Sequence, residues 1–248
     1  MKIPSSYDVI GDILILQEKT KNAKKLAKNL LKKIKNIQTV VIKTGIHTGK
    51  YRLQKTKHLA GKKTKITLHK ENNCFFKLNI DKCYFSPRSS NERLRISKLV
   101  KKNESILVMF SGIAVYPCVI AKNSNPKEIY AVEINPACHK YAQENIQLNK
   151  LYNIKLIKGD VKKVLLKKKF NRIIMPLPGS AESYLDLAIK HLKPKGIIHF
   201  YDFQLEQDIP KKSKEKIKKH IKKFRILKVT KCGKYSPRKY RICLDIKI

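Results

Sequence analysis

Ile106-Leu107-Val108-Met109-Phe110-Ser111-Gly112 opens the stretch that decides the fold, a series of four apolar runs within residues 106–178. The second run ends on Glu133, the third precedes Gly159-Asp160, and the fourth is Ile173-Ile174-Met175-Pro176-Leu177-Pro178. Short apolar runs that end in glycine, proline or acidic residues are typical of strands buried on both faces. Because stretches with helical periodicity separate the runs, their order predicts a parallel sheet with right-handed crossovers.

The alternation of strands and helices continues towards the C-terminus and predicts an α/β fold with a mostly parallel, seven-stranded sheet. The predicted strands are 105–110, 128–133, 154–158, 171–176, 196–202, 225–231 and 239–247. The predicted helices are 91–101, 116–123, 136–149, 180–192 and 211–222. Residues 232–237 connect the last two predicted strands. A connection this short predicts an antiparallel hairpin at one edge of the sheet.

The chain before residue 83 has a different pattern. We predict a strand from Asp8 to Leu16 interrupted by Gly11, then a lysine-rich amphipathic helix over about residues 20–37. Further strands are predicted at 39–43, 65–68 and 75–80, with a polar, glycine-marked loop between the first two. Ser86-Pro87 interrupts the pattern that follows. The sequence therefore predicts two domains, a small α+β module in residues 1–82 and the large sheet in residues 83–248.

The charge of the chain indicates what it binds. Lysine and arginine number 57 and acidic residues 18, which gives a net charge of +39 spread over the whole sequence. Heat adaptation ordinarily adds glutamate together with lysine, so a polyanionic partner is the better explanation. No run reaches the length of a membrane span and residues 1–5 lack a signal-peptide apolar region, so we predict a cytoplasmic protein. The six cysteines include no CxxC pair, which predicts free buried thiols.

The loops after the first strands suggest a ligand. The Ser111-Gly112 loop matches neither the GxGxxG nor the Walker pattern, which disfavours a dinucleotide or a triphosphate. Glu133 follows at the spacing, about 20 residues, at which a carboxylate accepts both ribose hydroxyls. Asp160 can accept from an adenine amino group, although either carboxylate can instead be a helix cap. Together the three positions favour a nucleoside-bearing ligand without phosphates.

A set of short motifs extends this interpretation over almost the entire chain. The motifs are Ile10-Gly11-Asp12-Ile13, Gly49-Lys50-Tyr51-Arg52, Tyr84-Phe85-Ser86-Pro87-Arg88, Asn91-Glu92-Arg93, Val108-Met109-Phe110-Ser111-Gly112, Ala131-Val132-Glu133-Ile134-Asn135-Pro136, Glu144-Asn145-Ile146-Gln147-Leu148-Asn149, Gly159-Asp160-Val161, Ile174-Met175-Pro176-Leu177-Pro178 and Lys234-Tyr235-Ser236-Pro237-Arg238. In these motifs the chain closely resembles the archaeal and eukaryotic type of tRNA (guanine-37 N1)-methyltransferase.

The resemblance implies a Rossmann-like class I methyltransferase domain that uses S-adenosylmethionine, preceded by an RNA-binding module. It implies that the partner is the anticodon loop of tRNA and the product 1-methylguanosine at position 37, which protects the reading frame. We expect a monomer that requires no metal. The cofactor-site residues implied in this way are Tyr84, Arg88, Phe110, Ser111, Gly112, Glu133, Ile134, Asp160, Pro176 and Pro178.

The resemblance also implies two catalytic residues. Guanine N1 carries a proton at neutral pH, so a base must lie within about 3 Å of it, and Glu92 aligns with the family's proposed base. Negative charge then develops on O6, where a fixed cation stabilises the transition state, and Arg52 aligns with the arginine proposed to hold O6. The alternative for Glu92 is an ordinary carboxylate in a first helical turn. Composition alone does not distinguish Arg52 from the other cations.

The chain departs from the family pattern at several positions. Val108 replaces a frequent Asp, Ala114-Val115 replaces a Gly-Pro pair, and Pro176 replaces an Asn whose amide would orient guanine. Relatives often carry a further N-terminal domain, and the motifs imply that this chain starts at the second module. Two enzymatic alternatives stay open at the same nucleotide, aminocarboxypropyl transfer and a later methylation in the wyosine pathway. A third alternative is a non-catalytic RNA-binding protein.

Overall fold

The computed structural model describes residues 7–18, 20–164 and 166–248, and for residues 46–48 only the backbone. In these ranges the chain forms thirteen strands and six α-helices. The strands are β1 Tyr7–Ile10, β2 Ile13–Leu16, β3 Thr39–Thr48, β4 Leu53–Gly61, β5 Ile66–Glu71, β6 Cys74–Asn79, β7 Ser105–Met109, β8 Glu128–Glu133, β9 Ile154–Lys158, β10 Phe170–Met175, β11 Leu192–Leu205, β12 Arg225–Ser236 and β13 Lys239–Lys247. The helices are α1 Ala23–Lys33, α2 Ser90–Leu99, α3 Val115–Asn123, α4 Pro136–Leu148, α5 Leu185–Lys190 and α6 Lys211–Lys218.

Seven strands form the large sheet in the order β12-β13-β11-β10-β7-β8-β9. Strands β7 to β11 pair in parallel, whereas β13 runs antiparallel to both β11 and β12. The predicted fold is therefore confirmed, including the C-terminal hairpin at the edge. The strand order reverses at β7, which has β10 on one side and β8 on the other. In open α/β sheets ligands bind at such a reversal, beyond the carboxyl ends of the strands.

Side chains of the sheet alternate between two helical layers. Leu107 and Met109 pack in a cluster with α5 and α6, whereas Ile106 and Val108 pack in a cluster with α2 and α3. Both faces are covered, which explains why these strands read as continuous apolar runs. Val108 is fully buried. Its side chain is part of the apolar layer beneath α2 and α3.

The N-terminal module has a four-stranded sheet in the order β1-β2-β3-β4, and its structure corrects two predictions. The strand predicted over residues 8–16 is an antiparallel hairpin that turns at Gly11. Gly11 has a φ of +55°, and a Cβ there would lie 2.1 Å from Thr67 Oγ1, so only glycine fits. The predicted loop between residues 43 and 65 contains the end of β3 and all of β4. Strand β4 is polar because it lies at the edge, with Lys55 and Lys57 exposed.

Several predicted boundaries were also wrong. Helix α1 is shorter than the predicted 20–37 because Asn22 is left-handed, with a φ of 50°, and Ile34 is extended. The predicted helix 180–192 is a 3₁₀ turn, Ala181–Tyr184, followed by the short α5. Helix α6 ends at Lys218 rather than 222, and β11 is longer than predicted at both ends. These ends depend on local backbone angles and on pairing with neighbouring strands, which periodicity does not report.

Asn145 of α4 and Asn149, which caps its C-terminus, hold the β5–β6 hairpin against the large sheet domain. The Asn145 side chain accepts from Lys77 N at 2.7 Å and donates to Lys77 O and Ile113 O, both at 3.1 Å. Asn149 does the same with Phe75, accepting at 2.8 Å and donating at 2.7 Å. The hairpin thus contacts the large domain, although it precedes residue 83. The domain boundary at residues 82 and 83 stays a prediction.

Replacing Asn145 by Ala is expected to lower the free energy of unfolding by about 1–3 kcal/mol, because it removes the partner of the buried Ile113 carbonyl and both bonds to the partly buried backbone of Lys77. Urea unfolding would measure the loss. The control is Gln147→Ala on the exposed face of the same helix, which should change stability by less than about 0.5 kcal/mol. Equal stability of the two variants would contradict the role of Asn145.

All six cysteines are free, and five of them are buried. Burial raises the pKa of the Cys74 thiol to about 12, so this thiol is protonated at neutral pH. The prediction of free buried thiols is confirmed for five of the six, while Cys232 is partly exposed. Among the residues that the structure describes, none of the helices combines the length and the apolar character needed to cross a bilayer.

Candidate active site

The loop between β7 and α3 turns sharply and leaves open space. Phe110, Gly112 and Ala114 all have left-handed backbones, with φ values of 61°, 59° and 64°. A Cβ added to Gly112 would meet no atom within 4 Å, so a ligand can approach the backbone here. Ala114 holds a conformation that glycine adopts without strain.

Glu133 closes this loop from the end of β8. Its carboxylate is buried and accepts the backbone N–H groups of Gly112 and Asn135, each at 2.7 Å. Burial raises the pKa of the Glu133 carboxyl above its ordinary value, and the backbone amides of Asn135, Gly112 and Ile134 offset this in part. Asn135 caps α4, and Pro136 is in its first turn. The structure therefore brings Ser111, Gly112, Glu133 and Ile134 together at the reversal of the strand order.

The polar groups of this cluster fit a nucleoside ligand. The Ser111 hydroxyl is buried and has no hydrogen-bond partner. A buried hydroxyl without a partner is costly, and a ligand with hydroxyl or amino groups would satisfy it. Together with the Glu133 carboxylate and the open space at Gly112, it provides hydrogen-bonding groups of the kind that a ribose and an amino acid require.

An aromatic pair lies on the other side of the loop. The rings of Phe110 and Tyr184 meet edge to face with centroids 4.7 Å apart, and the Lys162 ammonium is 4.7 Å from the Tyr184 centroid. Burial and the nearby Asp160 raise the pKa of Tyr184. One oxygen of Asp160 accepts the Lys162 N–H at 3.0 Å, within a turn at residues 161–163 rather than at the start of a helix. Sequence reasoning missed Tyr184, since a tyrosine in a 3₁₀ turn carries no signal.

A cavity of about 200 Å³ lies between the N-terminal sheet and residues 83–88, and its lining includes Arg52, Tyr84 and Arg88. Arg88 donates to Asp8 of β1 at 2.8 Å, and Lys43 donates to the other oxygen of Asp8 at 3.1 Å. The structure thus places Arg88, which sequence assigned to the cofactor, in an ion pair across the two domains.

We call Ser111, Gly112, Glu133 and Ile134 the Glu133 cluster. Residues 83–88, beside the cavity, adjoin this cluster. The Asn135 side-chain amide donates to the carbonyl of Lys82 at 2.9 Å. Cys83 and Phe85 pack in the same apolar cluster as Ala114. The chain that carries Tyr84 is therefore held beside the glycine loop, which agrees with the predicted grouping of these residues.

Arg52 connects the cavity to the proline motif after β10. Its Nη2 donates to the carbonyl of Pro178 at 3.1 Å and to the hydroxyl of Ser180 at 3.2 Å. Arg52 and Pro178 are 126 residues apart in sequence. The predicted catalytic arginine therefore holds the Pro178 carbonyl in place.

Glu92 is buried in α2, with an exposed fraction of 5%. Arg95 donates to both of its oxygens, at 2.7 and 2.8 Å, and the Tyr201 hydroxyl donates to Oε1 at 2.6 Å. Because Met175 pairs with Phe200, Tyr201 lies within β11 at the level where β10 ends and Pro176 follows. Sequence reasoning missed both partners. Arg95 could have been found from its i,i+3 spacing, but Tyr201 could not.

A chain of buried charges supports Glu92 from behind. Arg95 also binds Asp245, at 2.6 Å, and Asp245 accepts from His199 at 2.6 Å. Although burial raises it, hydrogen bonds from His199 and Arg95 hold the pKa of Asp245 well below its usual range. His199, Cys243 and Asp245 lie close enough together to hold a metal ion. The adjacent guanidinium groups of Arg95 and Arg172 would repel a cation, so an ion-pair network is the better interpretation.

The strand order, the open glycine loop and the carboxylate at the end of the second parallel strand define a class I methyltransferase domain. The model of the TRM5/TYW2 methyltransferase domain matches residues 67–229, and that of the TYW2 N-terminal domain matches residues 1–64. The chain therefore belongs to the TRM5/TYW2 methyltransferase family.

Relatives with two different activities resemble the chain. The tRNA (guanine(37)-N(1))-methyltransferase Trm5b of Pyrococcus abyssi is 36% identical, over 99% of this chain and 76% of the relative. The tRNA(Phe) (4-demethylwyosine(37)-C(7)) aminocarboxypropyltransferase of Methanocaldococcus jannaschii is 33% identical, over 97% of both.

Solved structures share the fold over nearly the whole chain. Trm5b from Pyrococcus abyssi has a TM-score of 0.90 and 34% identity, over 98% of this chain and 75% of that one. The complex of aTrm5 with tRNALeu also has a TM-score of 0.90 at 34% identity, over 99% and 72%. M. jannaschii TYW2 in complex with AdoMet has a TM-score of 0.77 and 30% identity, over 98% of both chains.

Proposed function

We propose that the chain transfers a methyl group from S-adenosylmethionine to N1 of guanosine 37 in tRNA. The observation that carries the proposal is the contact of Arg52 with Pro178, which joins the N-terminal module to the carboxyl edge of the sheet. Buried Glu92 accepts a hydrogen bond from Tyr201, which lies level with the end of β10, the strand that the proline motif follows. A base, Glu92, and a cation, Arg52, are therefore available near Pro176 to Pro178. Methylation of guanine N1 requires these two groups. The relatives named as guanine-37 methyltransferases support the same reaction.

The Glu133 cluster would hold the cofactor. Glu133 would accept the ribose hydroxyls, Ser111 and Gly112 would contact the methionine part together with Tyr84, and Phe110, Ile134 and Asp160 would surround the adenine. S-Adenosylmethionine supplies, when bound, a methyl group on a sulfonium, which needs no metal to be transferred. The orphaned Ser111 hydroxyl and the relative solved with AdoMet support this assignment.

The remaining residues would prepare guanine for attack. Glu92 takes the N1 proton, so that the N1 electron pair becomes available. The Arg52 guanidinium stabilises the negative charge that develops on O6, while Pro176 to Pro178 support the ring. Arg95 and Tyr201 orient the Glu92 carboxylate without touching the base. The task is chiefly one of positioning, which explains the number of groups that hold Glu92 and Arg52 in place.

The net charge of +39 supports tRNA as the partner, since lysine contacts to phosphate give affinity irrespective of sequence. The base must be splayed out of the anticodon loop before N1 is accessible. A cytoplasmic location, a monomeric state and independence from metals stay predictions.

Two observations favour a second candidate function. Residues 1–64 match the TYW2 N-terminal domain, and the aminocarboxypropyltransferase of M. jannaschii matches 97% of the chain. In that reaction the aminocarboxypropyl group rather than the methyl group leaves the same sulfonium.

One experiment distinguishes the two functions. The protein is incubated with labelled S-adenosylmethionine and with tRNA transcripts that carry guanine or adenine at position 37, and separately with tRNA carrying 4-demethylwyosine. The nucleosides are then identified by mass spectrometry. We expect 1-methylguanosine from the guanine transcript alone. An aminocarboxypropyl adduct on the tricyclic base, with no 1-methylguanosine, would replace the proposal by the second candidate.

The affinity for S-adenosylmethionine is expected to weaken as the pH falls, at a higher pH than an ordinary glutamate would cause. The pKa of Glu133 is raised, so its carboxylate is present above that pKa and is neutralised as the pH falls through it. A neutral carboxyl accepts ribose hydroxyls less strongly. Calorimetry at a series of falling pH values should show the wild type losing affinity for S-adenosylmethionine. Glu133→Gln should bind the cofactor weakly at every pH. Undiminished wild-type affinity below pH about 4.3, with the fold intact by circular dichroism, would contradict the role of Glu133.

A further inference from the structure

Near the turn between β12 and β13, the exposed Tyr235 of β12 meets the partly buried Phe203 of β11. Tyr235 is 63% exposed, and its ring lies 4.2 Å from that of Phe203, centroid to centroid. The interplanar angle is 40°, so the two rings lean against each other. We call Phe203 and Tyr235 the tip platform. Burial in the core does not explain it, because most of the Tyr235 side chain faces solvent.

The tip platform adjoins residues 178–180 of the candidate site. A Cβ on Gly179 would lie 3.5 Å from Cδ2 of Phe203. Gly179 is between Pro178 and Ser180, the two residues that Arg52 contacts. Strand β12 runs parallel to β11, so its end lies at the same carboxyl edge as the ligand loops. A nucleotide next to one held at Pro178 would therefore be within reach of Tyr235.

Cations surround the tip platform. The Lys239 ammonium lies 5.6 Å from the Tyr235 ring centroid, and the side chains of Lys234 in β12 and Arg238 in the turn are exposed. The nearby carboxylate of Glu206 is paired with Lys231 at 2.7 Å. The local charge thus favours a phosphate beside the rings. Exposed aromatic rings next to cations are the arrangement by which proteins hold unpaired nucleotides.

We propose that Tyr235, backed by Phe203, stacks on an unpaired anticodon-loop nucleotide adjacent to the target guanosine, with Arg238 and Lys239 contacting its phosphate. The inference rests on the proposed tRNA substrate. Splaying guanosine 37 out of the loop breaks its stacking with its neighbours. A neighbour that stacks on the tip platform recovers part of that loss and keeps the loop open.

The test compares binding of an anticodon stem-loop RNA to Tyr235→Ala, Tyr235→Phe and Tyr152→Ala by fluorescence anisotropy. Tyr152 is the matched control, since it is 92% exposed and precedes β9 at the opposite end of the sheet. We expect Tyr235→Ala to raise the Kd about 5- to 100-fold. Tyr235→Phe and Tyr152→Ala should bind like the wild type, and all should bind S-adenosylmethionine equally.

Stem-loops with an abasic residue at position 36 or 38 identify the stacked base. At the correct position, removing the base should weaken wild-type binding but have little further effect on Tyr235→Ala. Unchanged binding by Tyr235→Ala, or additive losses at both positions, would overturn the inference. The assay needs no turnover. If stem-loop binding depends on Tyr235 but no 1-methylguanosine forms, only the proposed function fails. If 1-methylguanosine forms but Tyr235→Ala binds the stem-loop normally, only the inference about Tyr235 fails.

Discussion

Replacing Glu92 by Gln is expected to lower the rate of methyl transfer to guanosine 37 by about 10²- to 10⁴-fold. The amide cannot take the N1 proton, although it fills the same volume beside Arg95 and Tyr201. The affinity for S-adenosylmethionine should hardly change, since Glu92 lies outside the Glu133 cluster. Single-turnover kinetics at saturating tRNA and cofactor measure the chemical step separately from binding.

The variant also removes a buried charge, so its stability needs a control. Glu128→Gln changes a second buried glutamate, which lies at the start of β8. It is bound by Ser105, Lys155 and Lys168. That position is at the amino end of the sheet, opposite the candidate site. It should lose stability without losing rate. If both variants lose rate in proportion to stability, or if Glu92→Gln loses cofactor affinity and rate equally, Glu92 is a structural carboxylate.

Replacing Arg52 by Ala should lower the rate of methyl transfer by about 10²- to 10³-fold. The change removes both the charge proposed to stabilise O6 and the two hydrogen bonds to Pro178 and Ser180. The chemical step should therefore slow even when tRNA is saturating, and cofactor affinity should be retained. Single-turnover measurements over a range of tRNA concentrations distinguish a slower chemical step from weaker tRNA binding.

Two further variants distinguish geometry from charge. Arg52→Lys keeps the charge but lacks the planar fork of the guanidinium, so it should restore only part of the rate. Lys57→Ala removes an exposed cation from the neighbouring strand β4 and should affect tRNA affinity slightly and the rate not at all. A loss of rate in Lys57→Ala as large as that in Arg52→Ala would show that total charge is what matters.

The prediction of the large sheet succeeded where the sequence signal is local and strong. Strands β7, β8 and β10 are buried on both faces, so each reads as a continuous apolar run whatever its partners are. Strand β4 gave no such signal because its exposed lysines resemble those of a loop. Only its pairing with β3 makes it a strand. The hairpin at Gly11 was hidden for a related reason, since two short apolar strands joined by a two-residue turn resemble one interrupted strand.

The candidate site shows the same division. Glu133 and the Ser111-Gly112 loop follow neighbouring parallel strands, so their meeting at one edge could be predicted from strand order. Asp160 follows β9 as the sequence indicated, but residues 161–163 form a turn, so the helix that its alternative capping role requires is not found there. The pairing of Arg88 with Asp8 could not be predicted, because they belong to different domains, 80 residues apart.

The sequence by itself determined the α/β fold, the basic character of the chain and the grouping of Ser111, Gly112 and Glu133. These follow from hydrophobic periodicity, composition and the ends of successive strands, all of which are local properties. Only the tertiary structure decided that Arg52 binds Pro178, that Tyr201 holds Glu92 and that Tyr235 rests on Phe203. The physical reason is that these contacts join distant parts of the chain, and their geometry depends on how sheets and helices pack rather than on neighbouring residues.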